Sequence, residues 1–361
     1  MKKLIFVTLC ILIIAIPTVV IVLHYAQAQN SPQHAASLPS KPTQPANAWK
    51  AHVMAWIYPG PPACNAANEY KDGRIIDTLK PQYYTLNQSG VLIQLDAADK
   101  GCNAYSQENA ADIKQHSAHQ YVTVAGDATS MGALVTDQDK MLRAVNTLKT
   151  FVDTVKFTGV EIDFEEFSQW TPQQYHGYKS FLTQLGEALH QGGFKLMVDG
   201  PPMIADDTSQ YQWRYEDFNT LPIDYIVVME YDWQYDFGVG TPIAPLAREE
   251  DTTRGIIAKI SDINKIVVGI PAYGYHGQKG STKITIDTNA QSQMYPGYAT
   301  AKRDNSSAEM MFTNAGVFYD YADTQTLNTR RSLIESLGIR NISVWHLGGN
   351  QWFSGKSEPR S

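Results

Sequence analysis

The segment FTGVEIDFEEF, residues 157–167, carries Glu161, Asp163 and Glu165 on alternate positions between Val160, Ile162 and Phe164. Successive side chains of a strand point to opposite faces, so the three acids share one face and the apolar residues share the other. Carboxylates crowded on one inward face cannot all ionise at neutral pH. Repulsion and desolvation raise at least one pKa, which is what a general acid requires.

Such a strand needs a scaffold that gives it an interior. Eight apolar, β-rich runs stand out at residues 52–58, 91–96, 121–126, 159–165, 195–200, 225–232, 265–274 and 342–348. Helical patterns lie between them. The clearest begins at Thr171-Pro172, a cap followed by a first-turn proline, and continues with Tyr178, Leu182, Leu185 and Leu189 as one stripe up to Gly192. Further helices are expected at MLRAVNTLKTFV, TTRGIIAKI and TLNTRRSLIESLG. Strands alternating with helices predict a parallel sheet, and eight of them in about 310 residues predict a (β/α)8 TIM barrel of class α/β. In that barrel Glu165 stands at the carboxyl-terminal mouth. One connection, residues 275–314, is too long for a plain turn, so an insertion between the seventh strand and the last helix is expected to form a small β-element or a cleft wall.

The chain of 361 residues is 43% hydrophobic, 11% aromatic and 18% charged, with a net charge of −7. No Lys/Arg-rich run is present, which gives no reason to expect a nucleic-acid partner. The nine histidines show no metal-ligand spacing and no phosphate-binding glycine loop occurs, so neither metal nor cofactor is expected.

Residues 1–28 read as a signal peptide or a signal anchor. MKK precedes an unbroken apolar stretch over residues 4–23, and AQA resembles a cleavage site. Cleaved or retained as a membrane anchor, it places the rest of the chain outside the cytoplasm, secreted or tethered. Residues 29–47, rich in Pro, Ser, Gln and Ala, read as a disordered linker, leaving 48–357 for the barrel. Of the cysteines, Cys64 and Cys102 fall in this exported part, where one disulfide between them is expected and two free thiols are the alternative.

The acidic strand resembles that of glycoside hydrolase family 18, the chitinase-like barrels, whose fourth strand reads D-G-x-D-x-D-x-E. Here Gly159, Asp163 and Glu165 match, while Thr158 and Glu161 depart. VVMEYD resembles the sixth-strand motif with Met229, Tyr231 and Asp232; VVGIPAYGY resembles the seventh-strand segment with Tyr273; VWHLGG resembles the eighth, with Trp345. The third-strand motif keeps only Gly126. Within the family the chain is most similar to the bacterial spore-germination and cell-wall N-acetylglucosaminidase branch.

The resemblance implies a hydrolase of β-1,4 bonds in N-acetylglucosamine-containing polysaccharides such as peptidoglycan or chitin, in which the substrate's own acetamide is the nucleophile. It implies Glu165 as proton donor, Asp163 as the acid that holds the acetamide N–H, and Tyr231 as the donor to the acetamide oxygen. Glu161, Met229, Asp232, Tyr273 and Trp345 would line the substrate site. Trp56, Trp170, Trp213 and Trp233 are candidates to extend a cleft. A sugar-binding lectin on the same barrel, or an endo-acting enzyme on N-glycans, are the alternatives.

Overall fold

A computed structural model of the chain describes residues 52–60, 65–96, 104–165, 167–203 and 212–355. The leader at 1–28, the linker at 29–47 and both Cys64 and Cys102 lie outside the described residues. Among the described residues no helix is long and apolar enough to cross a membrane.

The strands in chain order are β1 (His52–Ile57), β2 (Thr78–Pro81), β3 (Tyr84–Leu86), β4 (Leu92–Gln94), β5 (His119–Gly126), β6 (Gly159–Phe164), β7 (Lys195–Gly200), β8 (Tyr225–Met229), β9 (Ile266–Pro271), β10 (Gly274–Gln278), β11 (Thr285–Asp287), β12 (Lys302–Arg303), β13 (Met310–Asn314), β14 (Val317–Tyr321) and β15 (Asn341–Leu347). The helices are α1 (Ala66–Lys71), α2 (Gln107–His116), α3 (Ala128–Val135), α4 (Gln138–Val155), α5 (Pro172–Gln191), α6 (Trp233–Phe237), α7 (Leu246–Lys259), α8 (Asn289–Ser292) and α9 (Thr324–Ser336). Strands β1, β2, β5, β6, β7, β8, β9 and β15 pair in parallel, and the β2–β5 and β15–β1 ladders close the ring. The expected (β/α)8 barrel is therefore the fold.

One strand differs from expectation. The second barrel strand is β2, sequence TLKP, and not the run at 91–96. That run supplies β4, which pairs antiparallel with β3 outside the ring and leaves Val91 and Ile93 exposed. The physical reason lies in Lys80 and Pro81. A lysine and a ladder-breaking proline disqualify a segment as a core strand unless something inside neutralises the charge. Here the barrel interior does so. Past Pro81 the chain shifts its pairing, with β3 joining only the outer part of β5.

All six residues of β6 are buried. Val160, Ile162 and Phe164 meet the helix layer, where the Phe164 ring stacks on Phe181 of α5 at 6.0 Å. Glu161 and Asp163 face inward, opposite Thr123 and Ala125 of β5. Gly159 starts the strand because nothing larger fits. A Cβ there would lie 2.2 Å from the Lys195 carbonyl oxygen of β7.

Helix α5 begins as read. Thr171 Oγ1 accepts the Gln174 N–H at 3.2 Å while Gln174 Oε1 accepts the Thr171 N–H at 2.9 Å, a reciprocal cap of the kind worth about 1 kcal/mol. Tyr178, Leu182, Leu185 and Leu189 are fully buried against the barrel. Their helical spacing gives α5 one face to bury.

The insertion leaves the carboxyl end of β9 and forms a separate antiparallel sheet in the order β11-β10-β14-β13-β12. Its attachment is polar as well as apolar. Buried Arg330 of α9 donates to Glu249 of α7 and to Glu309, which precedes β13. Glu309 also accepts the N–H groups of Ile243 and Ala244 at 3.0 Å each.

Candidate active site

The matched residues gather at the carboxyl ends of the barrel strands. Glu165 follows the last residue of β6, and its N–H donates to Gly126 O at 3.1 Å. Its side chain is exposed. Asp163, two residues earlier, is 3% exposed. Met229 ends β8 and is followed by Tyr231 and Asp232; Tyr273 comes just after β9; Trp345 lies on β15. The carboxyl mouth is where barrel enzymes carry their sites.

Three aromatic rings form the wall. Tyr231 lies nearly parallel to Trp345, with ring centroids 6.5 Å apart and 24° between planes. Tyr273 meets Trp345 edge-on at 4.9 Å. Exposed Tyr58 meets Trp345 from another side at 5.5 Å. The insertion supports this wall from behind, since Tyr275 of β10 and Phe318 of β14 pack in one cluster with Tyr231 and Tyr273.

Asp232 occupies the left-handed region at φ 74, a strained conformation for a residue with a side chain. Its carboxylate accepts from the Tyr273 hydroxyl and from Gln234 Nε2, the latter at 3.1 Å. Burial raises its pKa, opposed by those two donors. Asp232 thus ties the turn after β8 to the segment after β9.

Below the mouth the barrel interior is charged. Glu161 is fully buried, and its Oε1 accepts from Lys80 Nζ. Oε2 accepts from Thr123 Oγ1 and, at 3.2 Å, from Trp56 Nε1. The Lys80 ammonium also sits 3.4 Å from the centroid of the Trp56 ring, a cation–π contact. On β7, Asp199 is fully buried, with neither carboxylate oxygen hydrogen-bonded within the described structure. Burial, then the charge of Glu161, pushes its pKa well up, with Lys80 opposing.

Asp163 lies between this interior and the mouth. Burial raises its pKa well above the carboxylate range, helped by the charges of Glu165 and Glu161 and opposed by Gln82 and Lys80. Gln82 Nε2 donates to Asp163 Oδ2 at 3.1 Å, and Gln82 Oε1 accepts from Trp345 Nε1 at 3.1 Å. The phenol of Tyr231 is pushed well up by burial and then by the surrounding acids, Asp163 and Glu165 among them. It is a neutral hydroxyl able to donate.

Lys80, Gln82 and Asp199 were not legible as site residues. Signals existed for Asp199 and Lys80, and none for Gln82. The inward parity of Met197 and Asp199 on β7 follows from alternation, and a buried cluster of acids requires a counter-cation. The extra tryptophans do not extend a cleft. Trp56 fills the barrel interior, while Trp170 and Trp213 pack with Tyr178 on the helix side at 5.2 and 5.9 Å. Trp233 is buried, with its ring stacked on Phe237 at 5.9 Å.

Residues 64–350 match glycosyl hydrolases family 18, and the chain belongs to that family, as its fourth-strand pattern implied. Over 231 residues, 60% of the chain, it is 25% identical to a cortical fragment-lytic enzyme of Bacillus subtilis (strain 168). The chain spans about half the length of the curated relatives it matches, 52% in that case. Among solved structures, the Bacillus cereus spore cortex-lytic enzyme SleL superposes with a TM-score of 0.71 at 15% identity, covering 84% of this chain and 73% of that one. A chitinase from Chromobacterium violaceum superposes at 0.70 and 20% identity, covering 83% and 95%. Those two likenesses concern the fold.

Proposed function

We propose that the protein is a glycosidase that hydrolyses β-1,4 bonds after N-acetylglucosamine in peptidoglycan or a chitin-like polymer, with retention at the sugar carbon. The observation that carries this reading is the pairing of exposed Glu165 with buried Asp163 at the end of one strand, beneath the wall of Tyr231, Tyr273 and Trp345. An acid in contact with solvent can reach a glycosidic oxygen. A buried acid beside it can hold a group of the same sugar.

In the proposed reaction Glu165 gives its proton to the leaving glycosidic oxygen. The acetamide oxygen of the same sugar attacks C1 as that bond breaks, giving a cyclic oxazolinium ion. The positive charge that forms beside Asp163 favours its ionised form, which accepts the acetamide N–H and offsets that charge; the Tyr231 hydroxyl donates to the acetamide oxygen and orients it. Glu165, now a carboxylate, takes a proton from the water that opens the ring at C1. Trp345 supplies the floor for the sugar face, Met229, Asp232 and Tyr273 shape the site around it, and Glu161 lies below it in the barrel interior.

The apolar segment 4–23 supports export, as a cleaved signal or a retained anchor, so the substrate would be met outside the cytoplasm. The cortex-lytic names of the relatives favour a wall polymer over N-glycans. The deciding experiment incubates the protein with peptidoglycan, chitin oligosaccharides and a high-mannose glycopeptide, then identifies products by mass. Cleavage after N-acetylglucosamine in either of the first two is the expected result. Binding without cleavage of any of the three would make it a lectin, and cleavage of the glycopeptide alone would make it an N-glycan enzyme.

A further inference from the structure

Resting on that reading, one residue outside the matched motifs occupies a decisive place. Gln82 stands just past β2, where its N–H donates to Ile57 O of β1 at 3.1 Å. The backbone is thereby tied to the barrel wall at the mouth. Its side-chain amide is used at both ends: Nε2 donates to Asp163 Oδ2 and Oε1 accepts from Trp345 Nε1, each at 3.1 Å. Asp163 Oδ1 is buried and has no hydrogen-bond partner within the described structure.

We propose that Gln82 is a positioning residue that couples the acid and the sugar floor of the active site. Its amide fixes the Asp163 carboxylate through Oδ2, so that Oδ1 is the oxygen left to accept the substrate N–H. The same amide holds the Trp345 indole in register with it. Only a side chain with a donor and an acceptor on one short planar group does both. A glutamate in its place would accept from Trp345 but set a second negative charge against Asp163. A methionine would keep the length and lose both bonds.

The chemistry gives the coupling a purpose. The acetamide N–H and the sugar ring belong to one rigid substrate unit, and a misplacement of either partner by about 1 Å costs on the order of a hundredfold in rate. The groups facing Asp163 are Glu161 from its own strand and Glu165 just after it, Lys80 from β2, Gln82 just past β2, Asp199 from β7 and Tyr231 after β8. Among these neighbours Gln82 and Lys80 are the ones that favour its ionised form, and Lys80 is engaged by Glu161.

The test compares the full-length wild type with Gln82→Met and Gln82→Glu on a 4-nitrophenyl glycoside of di-N-acetylchitobiose. Rates are measured across pH, and thermal unfolding is followed in parallel. Gln82→Met is expected to lower kcat about 10–100-fold, with a much smaller change in KM. The acid limb of its profile should move to higher pH, because the N–H that favours the Asp163 carboxylate is gone. Gln82→Glu should move that limb further. Wild-type kcat in Gln82→Met, or a uniform loss of rate with an unmoved acid limb, overturns the assignment. A wild type that cleaves no N-acetylglucosaminide overturns the functional reading itself, and Gln82 falls with it.

Discussion

Lys80 and Glu161 form an ion pair inside the barrel, with both side chains 0% exposed. Taking two charges out of water costs several kcal/mol each, and close pairing with further hydrogen bonds offsets that cost. Thr123 and Trp56 provide those bonds to Glu161, and the Trp56 ring faces the ammonium. Where the family pattern has Asp, the longer Glu161 reaches this lysine.

Removing one partner alone should therefore be severe. Lys80→Met is expected to destabilise the fold by about 3–5 kcal/mol, because Glu161 is left as an unpaired buried charge. Adding Glu161→Gln should return part of that loss. Urea unfolding of both single variants and the double variant gives the coupling directly. Additive losses would show that the pair is not coupled.

Asp199 carries a pH signature. Burial holds its folded pKa well above the unfolded value of about 3.9. Between those values the folded chain binds more protons than the unfolded one, so stability falls as pH rises from about 4 toward the folded pKa. Asp199→Asn removes that dependence. It should stabilise the protein at pH 8 and hardly at pH 4. Denaturant midpoints at the two pH values check the difference. A gain of the same size at both would assign the effect to packing.

Asp163 of β6 and Glu165 just after it should separate binding from chemistry. Glu165→Gln keeps the shape but has no proton to give, so turnover should fall about 10²–10⁴-fold while oligosaccharide binding survives. Asp163→Asn should also cut turnover strongly, through loss of the charge that steadies the cyclic ion. Titration calorimetry beside product assays distinguishes the two effects. A substrate without the N-acetyl group should bind and hardly react; cleavage at a comparable rate would exclude the acetamide as nucleophile.

Gly159 offers a steric test. The Cβ of Gly159→Ala would fall 2.2 Å from a backbone oxygen of the neighbouring strand, which has no side-chain freedom to yield. A destabilisation of about 1–3 kcal/mol is expected. Turnover should drop as well, since β6 carries Asp163 and positions Glu165. An unchanged melting temperature would show that the β6–β7 contact relaxes without cost.

Much of this was legible in one dimension. Alternation along 159–165 placed Glu161 and Asp163 inward and the apolar residues outward, because strand parity depends only on neighbouring residues. The cap and stripe of α5 were readable for the same reason, with all their signals inside one helix. The barrel followed from the order of strands and helices. What sequence order could not show was which distant groups meet inside a closed ring. Lys80 finds Glu161 and Gln82 finds Asp163 each across 81 positions, and Gln82 finds Trp345 across 263. Seen locally, TLKPQ is a poor strand, with a charge, a proline and an amide. Ring closure puts an acid opposite the charge and two polar partners opposite the amide, so the segment that local pattern rejects becomes β2 and the rim of the site. The apolar run at 91–96 has the better pattern and no interior to fill, so it remains on the outside.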